Sequence, residues 1–167
     1  MPLHLELTAE DWLMGQSILG EWRDPDLTIA PDGTPYLYRW YVIPHNKDAN
    51  VYLHVQISDD PERPLHDHPW VNQSVILSGG YHETYANVDD QGRLLGTHQR
   101  WVRKGDVIQR PADQAHRLFM APGVRYSMSL FSTGPKTREW GFWYPDGWVN
   151  ANDVCRIEGN VSIHVRR

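Results

Sequence analysis

His66 and His68 stand one residue apart in the stretch Leu65-His66-Asp67-His68-Pro69-Trp70, and a third histidine, His116, follows much later in the chain. On an extended strand residues i and i+2 project from the same face, so both imidazoles of the pair point one way. Neutral imidazole is the commonest metal ligand among side chains, and a His-x-His pair with a distant histidine supplies three such donors. The pattern points to a bound divalent metal. The pair alone carries little weight, because a chain with 9 histidines places some at i, i+2 by chance. The residues spaced around it decide.

Those residues are Gln73 and Gly80 after the pair, and Gly105, Pro111 and Asp113 before His116. With them, residues 65–120 resemble the two motifs of the cupins. In that family the first motif has two histidines one residue apart, then a Glu and a Gly, and the second has Gly, Pro, Gly, His and Asn. The resemblance implies a double-stranded β-helix (jelly-roll) barrel, and it implies His66, His68, Gln73 and His116 as metal ligands. Three positions depart from the motifs: Gln73 stands in place of Glu, Asp113 in place of Gly, and Met120 in place of Asn. A neutral amide is a weaker ligand than a carboxylate. Gln73 is expected to bind weakly or to hydrogen-bond a metal-held water.

The elements that must position these residues read as mostly β. Thr8 followed by Asp11 looks like a helix start, and Trp12, Ile18, Leu19 and Trp22 share one arc, which predicts an amphipathic helix over 9–20 packed outside a sheet. Residues 24–35, rich in Pro, Asp and Gly, read as loop. From Tyr36 the composition turns aromatic and β-branched. Strands are expected at 36–43, 50–58, 73–77, 81–88, 98–103, 107–110, 116–120, 126–132 and 139–144, with turns or loops at 44–48, 59–64, 79–80 and 89–92. Short strands so spaced argue a barrel independently of the resemblance. A single domain is expected over 1–167: a helical extension to about 35, a barrel over about 36–145, and a C-terminal extension over 146–167.

Composition narrows the partners. The net charge of −5 over 167 residues argues against nucleic-acid binding, which needs a basic face. The single cysteine, Cys155, permits no intrachain disulfide, as suits a reducing cytoplasm. The start of the chain lacks a basic, then apolar, leader, and no run is long enough to cross a bilayer, so a cytoplasmic protein without membrane contact is expected. The 8 tryptophans are expected mainly in core or interface positions, and with family habit they suggest a homodimer. Trp140–Trp148, with its Pro145-Asp146-Gly147 turn, reads as a closing strand and turn packed under the N-terminal helix or across a dimer, or as a stacking lid over the barrel mouth.

In a barrel with His66 and His68 inside, Trp70 falls near the mouth, and if Gln73 faces in, Val75 and Leu77 line an apolar floor. Asp67 faces away from the pair, toward the surface or toward an imidazole N–H. His54, His82 and His98 lie on neighbouring strands, where each is expected to face solvent, with a hydrogen bond to substrate as the alternative. Arg63, Arg103, Arg110 and Arg117 lie near the motifs. Arg110 is preferred as partner for a substrate carboxylate, and Tyr81 as a phenol in the pocket. Gln73, Tyr81 and Arg110 are therefore the candidate catalytic residues beside the metal ligands. Three neutral donors favour an iron-dependent dioxygenase acting on a small organic substrate, in line with the resemblance to the thiol and flavonol dioxygenase branches of the cupins. Fe(II) is the expected metal, with Zn, Mn or Ni as alternatives. Two other functions stay open: a metal-dependent isomerase or lyase on a small sugar or keto acid, and a non-enzymatic ligand-binding barrel.

Overall fold

Along strand β3 (Asn50–Gln56) every second residue, Tyr52, His54 and Gln56, turns to one face, and Leu53 and Val55 turn to the other, yet all five are buried. A strand covered on both sides explains why simple alternation is hard to read in this chain. The computed structural model describes residues 5–60 and 63–165; the first four residues and part of the expected 59–64 loop lie outside that range.

Two sheets face each other. The larger has eight strands in the order β13 (Cys155–Glu158), β14 (Val161–His164), β1 (Leu27–Ile29), β2 (Leu37–Tyr41), β3, β10 (Ser127–Thr133), β5 (Asn72–Ser78) and β8 (Val107–Arg110). The smaller has six: β12 (Gly147–Asn150), β11 (Gly141–Tyr144), β4 (Leu65–His66), β9 (Ala115–Met120), β6 (Gly80–Ala86) and β7 (His98–Arg103). All pairings are antiparallel except β1 with β14. Residues read as loop in 24–35 and as C-terminal extension thus supply β1, β13 and β14 at one edge of the large sheet. A short helix α2 (Ala151–Val154) joins β12 to β13.

The chain crosses from the large sheet to the small one at Gly79-Gly80. A Cβ on Gly79 would lie 2.2 Å from the Tyr126 carbonyl oxygen, and one on Gly80 would lie 2.3 Å from that of Val102. Both also adopt positive φ, so only glycine fits this corner.

Helix α1 (Ala9–Leu19) covers the outer face of the large sheet. Thr8 caps it, accepting from the Asp11 amide, and Met14, Ile18 and Leu19 pack on Tyr38, Trp40, Leu53, Val55 and Met128. Asp11 is buried and takes hydrogen bonds from the hydroxyls of Ser78 and Tyr126, which fixes the helix across β5 and β10. The larger apolar cluster therefore lies between helix and sheet. Between the two sheets a smaller cluster of Ile76, Tyr81, Val102, Ile108 and Leu118 leaves the rest of the space to mostly polar side chains. Among the described residues no helix is long and apolar enough to cross a membrane.

Candidate metal centre

The two-residue strand β4 sits between β11 and β9, with Phe142 beside His66 on one flank and His116 directly opposite it on the other. His68 lies just past the strand, where its amide donates to the Ala112 carbonyl at 3.0 Å. The residue between the pair sets their direction. Asp67 is fully buried, accepts from the Gly141 amide at 2.7 Å and from the indole N–H groups of Trp143 and Trp148 at 3.2 and 2.9 Å, and pairs with Arg138 at 3.0 Å. Contrary to expectation it neither reaches the surface nor accepts from an imidazole. It clamps the β11–β12 hairpin, and its neighbours are thereby aimed inward. The Trp140–Trp148 segment is that hairpin. It belongs to the small sheet and does not pack under α1.

The three histidines converge. Ring centroids lie 4.8 Å apart for His66 and His116, 4.9 Å for His68 and His116, and 5.4 Å for His66 and His68. One nitrogen from each lies within 4.8 Å of the others. Burial pushes all three imidazoles below their ordinary pKa, His66 and His68 strongly, and the mutual repulsion of His66 and His68 with His116 adds to the shift on that pair. They are neutral at neutral pH, as metal ligands must be. The Nδ1 atoms of His66 and His68 are buried without a hydrogen-bond partner, and that of His66 lies 3.7 Å from an equally unpartnered Asp60 oxygen. Unsatisfied buried nitrogens around a three-donor cluster are what a site built for a cation requires. The donor set fits a divalent metal.

Behind His116 stands Glu83, which sequence reading left without a role. It is completely buried on β6, and its Oε1 accepts from His116 Nδ1 at 2.6 Å, which leaves Nε2 as the nitrogen that faces the cluster. Burial opposes its ionisation, but Arg110 and His116 outweigh that and hold the carboxyl well below the usual carboxylate range. A carboxylate on the far nitrogen of a ligand fixes its tautomer and raises its basicity. The signal was available: Glu83 follows Tyr81 by two on one strand and so shares its face.

Arg110 holds Glu83 in turn. Its Nε donates to Glu83 at 2.7 Å, Nη1 to Ser74 and Asn72, and Nη2 to Tyr81 and Glu83. All five N–H groups are committed, so Arg110 has none left for a substrate carboxylate. Tyr81 is buried beside the cluster, its hydroxyl accepting from Arg110 at 3.0 Å.

Gln73 is not brought to the cluster. It faces outward on β5, where its Oε1 accepts from Gln109 at 3.0 Å, while Asn72, Ser74 and Ile76 turn inward. Leu77, on the same outward face, packs in the core under α1. The expected apolar floor is thus replaced by a polar one. A cavity of about 80 Å³ between the sheets is lined by the three histidines with Arg39, His54, Gln56, Ser74, Ser127 and Ser129, besides Tyr81, Arg110 and apolar Ile29, Leu37, Leu118 and Phe131. A second cavity of about 210 Å³ adjoins it through His66, His68, Arg39 and Tyr36, and Trp70, Trp140 and Cys155 line its walls. Trp70 stacks on His68 with ring centroids 5.3 Å apart, near the mouth as expected. His54 is buried, not solvent-facing; His82 is half-buried against Trp101, and His98 is exposed.

Buried neutral histidines link stability to pH. His54, His66 and His68 all lie well below the ordinary 6.5 because burial disfavours the cation. Below about 6.5 the unfolded chain binds protons that the folded chain refuses, so their stabilisation is complete above that pH and is lost as pH falls through it. Each contributes a slope of up to about 1.4 kcal/mol per pH unit. Urea unfolding is expected to show a clear drop in midpoint between about pH 7.5 and 5.5; a flat midpoint would contradict the neutral cluster.

No protein-family model matches the sequence, and the search of curated proteins found none that matches. Solved structures do match. The DMSP lyase DddQ from Ruegeria pomeroyi DSS-3 is 18% identical, over 86% of this chain and 73% of that one, with a TM-score of 0.54. Fe(II) HppE in complex with substrate is 14% identical over 66% of this chain, with a TM-score of 0.52. The match spans only 58% of that HppE chain. Fe(II)-HppE with the alternative substrate (S)-1-HPP is 13% identical, over 77% of this chain and 76% of that one, with a TM-score of 0.51. These likenesses are of fold, and they show that the chain has the cupin fold.

Proposed function

We propose that this cupin-fold chain is a metal-dependent oxygenase that holds Fe(II) at His66, His68 and His116 and oxidises a small organic substrate between its two sheets. The observation that carries the reading is the donor set: three neutral imidazoles converge, and among the described residues no carboxylate belongs to that cluster. Such a set leaves a divalent ion its full charge and several open positions. When bound, iron supplies redox capacity toward dioxygen and a point to which substrate is held. The two HppE structures, named as Fe(II) forms, make iron the first choice.

The chain's own residues prepare the rest. Glu83 holds His116 in the tautomer that presents Nε2. Arg110 positions Glu83 and Tyr81 and does not itself reach substrate. Because the Tyr81 hydroxyl accepts from Arg110, its own hydrogen is free to be donated into the cavity, toward a substrate oxygen. Trp70 and Phe131 pack against the His68 ring and hold its orientation.

Oxygen uptake tests this reading. Protein reconstituted with Fe(II) is expected to consume oxygen with at least one member of a panel of small alcohols, amines, thiols and acids, whereas zinc-loaded protein stays silent. Turnover by the zinc form without oxygen uptake would overturn the oxygenase reading in favour of lyase or isomerase chemistry.

A further inference from the structure

Among the described residues, Arg39 is a cation lining both cavities that no carboxylate neutralises. Around the histidines Arg63 pairs with Asp60, and Arg110 and Arg100 pair with Glu83. Among the described residues Arg39 has no carboxylate partner: its Nε donates to His54 Nε2 at 2.9 Å, and its guanidinium lies 4.5 Å from the centre of the Tyr52 ring. Its four Nη hydrogens have no acceptor among those residues. Arg39 lines both the inner cavity and the outer one, in each case together with His66 and His68. In the inner cavity it is joined by Ser127, which is 3% exposed and whose Oγ has no hydrogen-bond partner.

The charges point the same way. Arg39, Arg63, Arg100 and Arg110 face Asp60 and Glu83, four cations against two anions, before any metal adds its own charge. The whole chain carries −5, so this excess is local to the cavity. An interior cation without a counter-charge is costly to bury, and an incoming anion removes that cost.

We propose that Arg39 is the binding site for the carboxylate of a small substrate, whose remainder lies toward the histidine cluster, with Ser127 as a further polar contact in the same cavity. Two Nη groups of one guanidinium form a planar fork that matches a carboxylate's two oxygens. The cavity, about 80 Å³ with Ile29, Leu37, Leu118 and Phe131 in its wall, suits a short acid with an apolar part. The assignment deepens the oxygenase reading and rests on it only for where the rest of the substrate goes. It replaces the expectation that Arg110 would take this role.

The test is calorimetric binding of glycolate, lactate and phenylacetate, with their amides and inorganic phosphate as controls, to metal-loaded and chelator-treated protein. At least one acid is expected to bind in preference to its amide, with or without metal. Arg39→Gln is expected to weaken that binding about ten- to a hundredfold and Arg39→Lys less, because lysine keeps the charge and loses the fork. Ser127→Ala is expected to weaken it severalfold and serves as the deciding variant if Arg39→Gln does not fold. Acid binding that survives Arg39→Gln or Ser127→Ala unchanged but vanishes with chelator would overturn the assignment while leaving the metal centre intact. Arg39-dependent binding in a protein that takes up no metal would sustain the anion site and sink the oxygenase reading. Stronger binding of phosphate than of every acid, or no binding of any acid to the unaltered protein, would also overturn it.

Discussion

Glu83→Gln is expected to cost the fold about 3–5 kcal/mol and metal affinity about ten- to a hundredfold. Glu83 is fully buried and meets three partners at once, His116 and Arg110 at 2.6 and 2.7 Å and Arg100 at 2.6 Å. The substitution keeps the shape and removes the charge, which leaves Arg110, 2% exposed, as a buried cation without its counter-ion. One amide hydrogen must also face donors of Arg110 or His116, so a hydrogen bond is replaced by a repulsive contact. Urea unfolding of the metal-free protein measures the first effect and metal titration the second. Glu83→Leu combined with Arg110→Met should recover much of the stability, because neither charge is then stranded, but not the metal affinity, because His116 still lacks its acceptor. A loss below about 1 kcal/mol in Glu83→Gln would mean that the network is not coupled as its geometry implies.

The histidine cluster was legible from His66 and His68 together with Gly80, Gly105 and Pro111, whose resemblance to the cupin motifs ties His116 to the pair. Most strands were legible as well: β7 and β8 were expected at the bounds observed, and α1 to within a residue. What failed has a common physical cause. The more apolar face of the large sheet is the outer one, covered by α1, while the inner face mixes apolar side chains with the polar ones that line the site. A reading that places apolar residues inside therefore puts Val75, Leu77 and Gln73 in the cavity and His54 in solvent, the reverse of what is found. Arg39 carried a signal that went unused: it is the one charged residue within the aromatic run Leu37–Tyr41. Strands β1, β13 and β14 could not be read locally. They are short, Pro25 and Pro31 flank β1, and β1 pairs in parallel with a strand from the far end of the chain.

Divalent metal is expected to stabilise the unaltered protein and to do nothing for His116→Ala. A ligand that binds only the folded state adds about 2.7 kcal/mol when its free concentration is a hundredfold above its dissociation constant. Removing one of three donors leaves an incomplete set, and in this case also leaves Glu83 without the imidazole it orients. Chemical unfolding with and without added Fe(II) under anaerobic conditions measures the difference. An equal metal-induced shift in the variant would place the ion elsewhere.

Elemental analysis of protein purified without chelator or nickel resin, beside a His66→Ala control, tests the metal centre most directly. Close to one equivalent of metal per chain, iron foremost, absent from the control, is the expected result. Metal-free protein after reconstitution, or equal metal in both proteins, would contradict a centre at His66, His68 and His116.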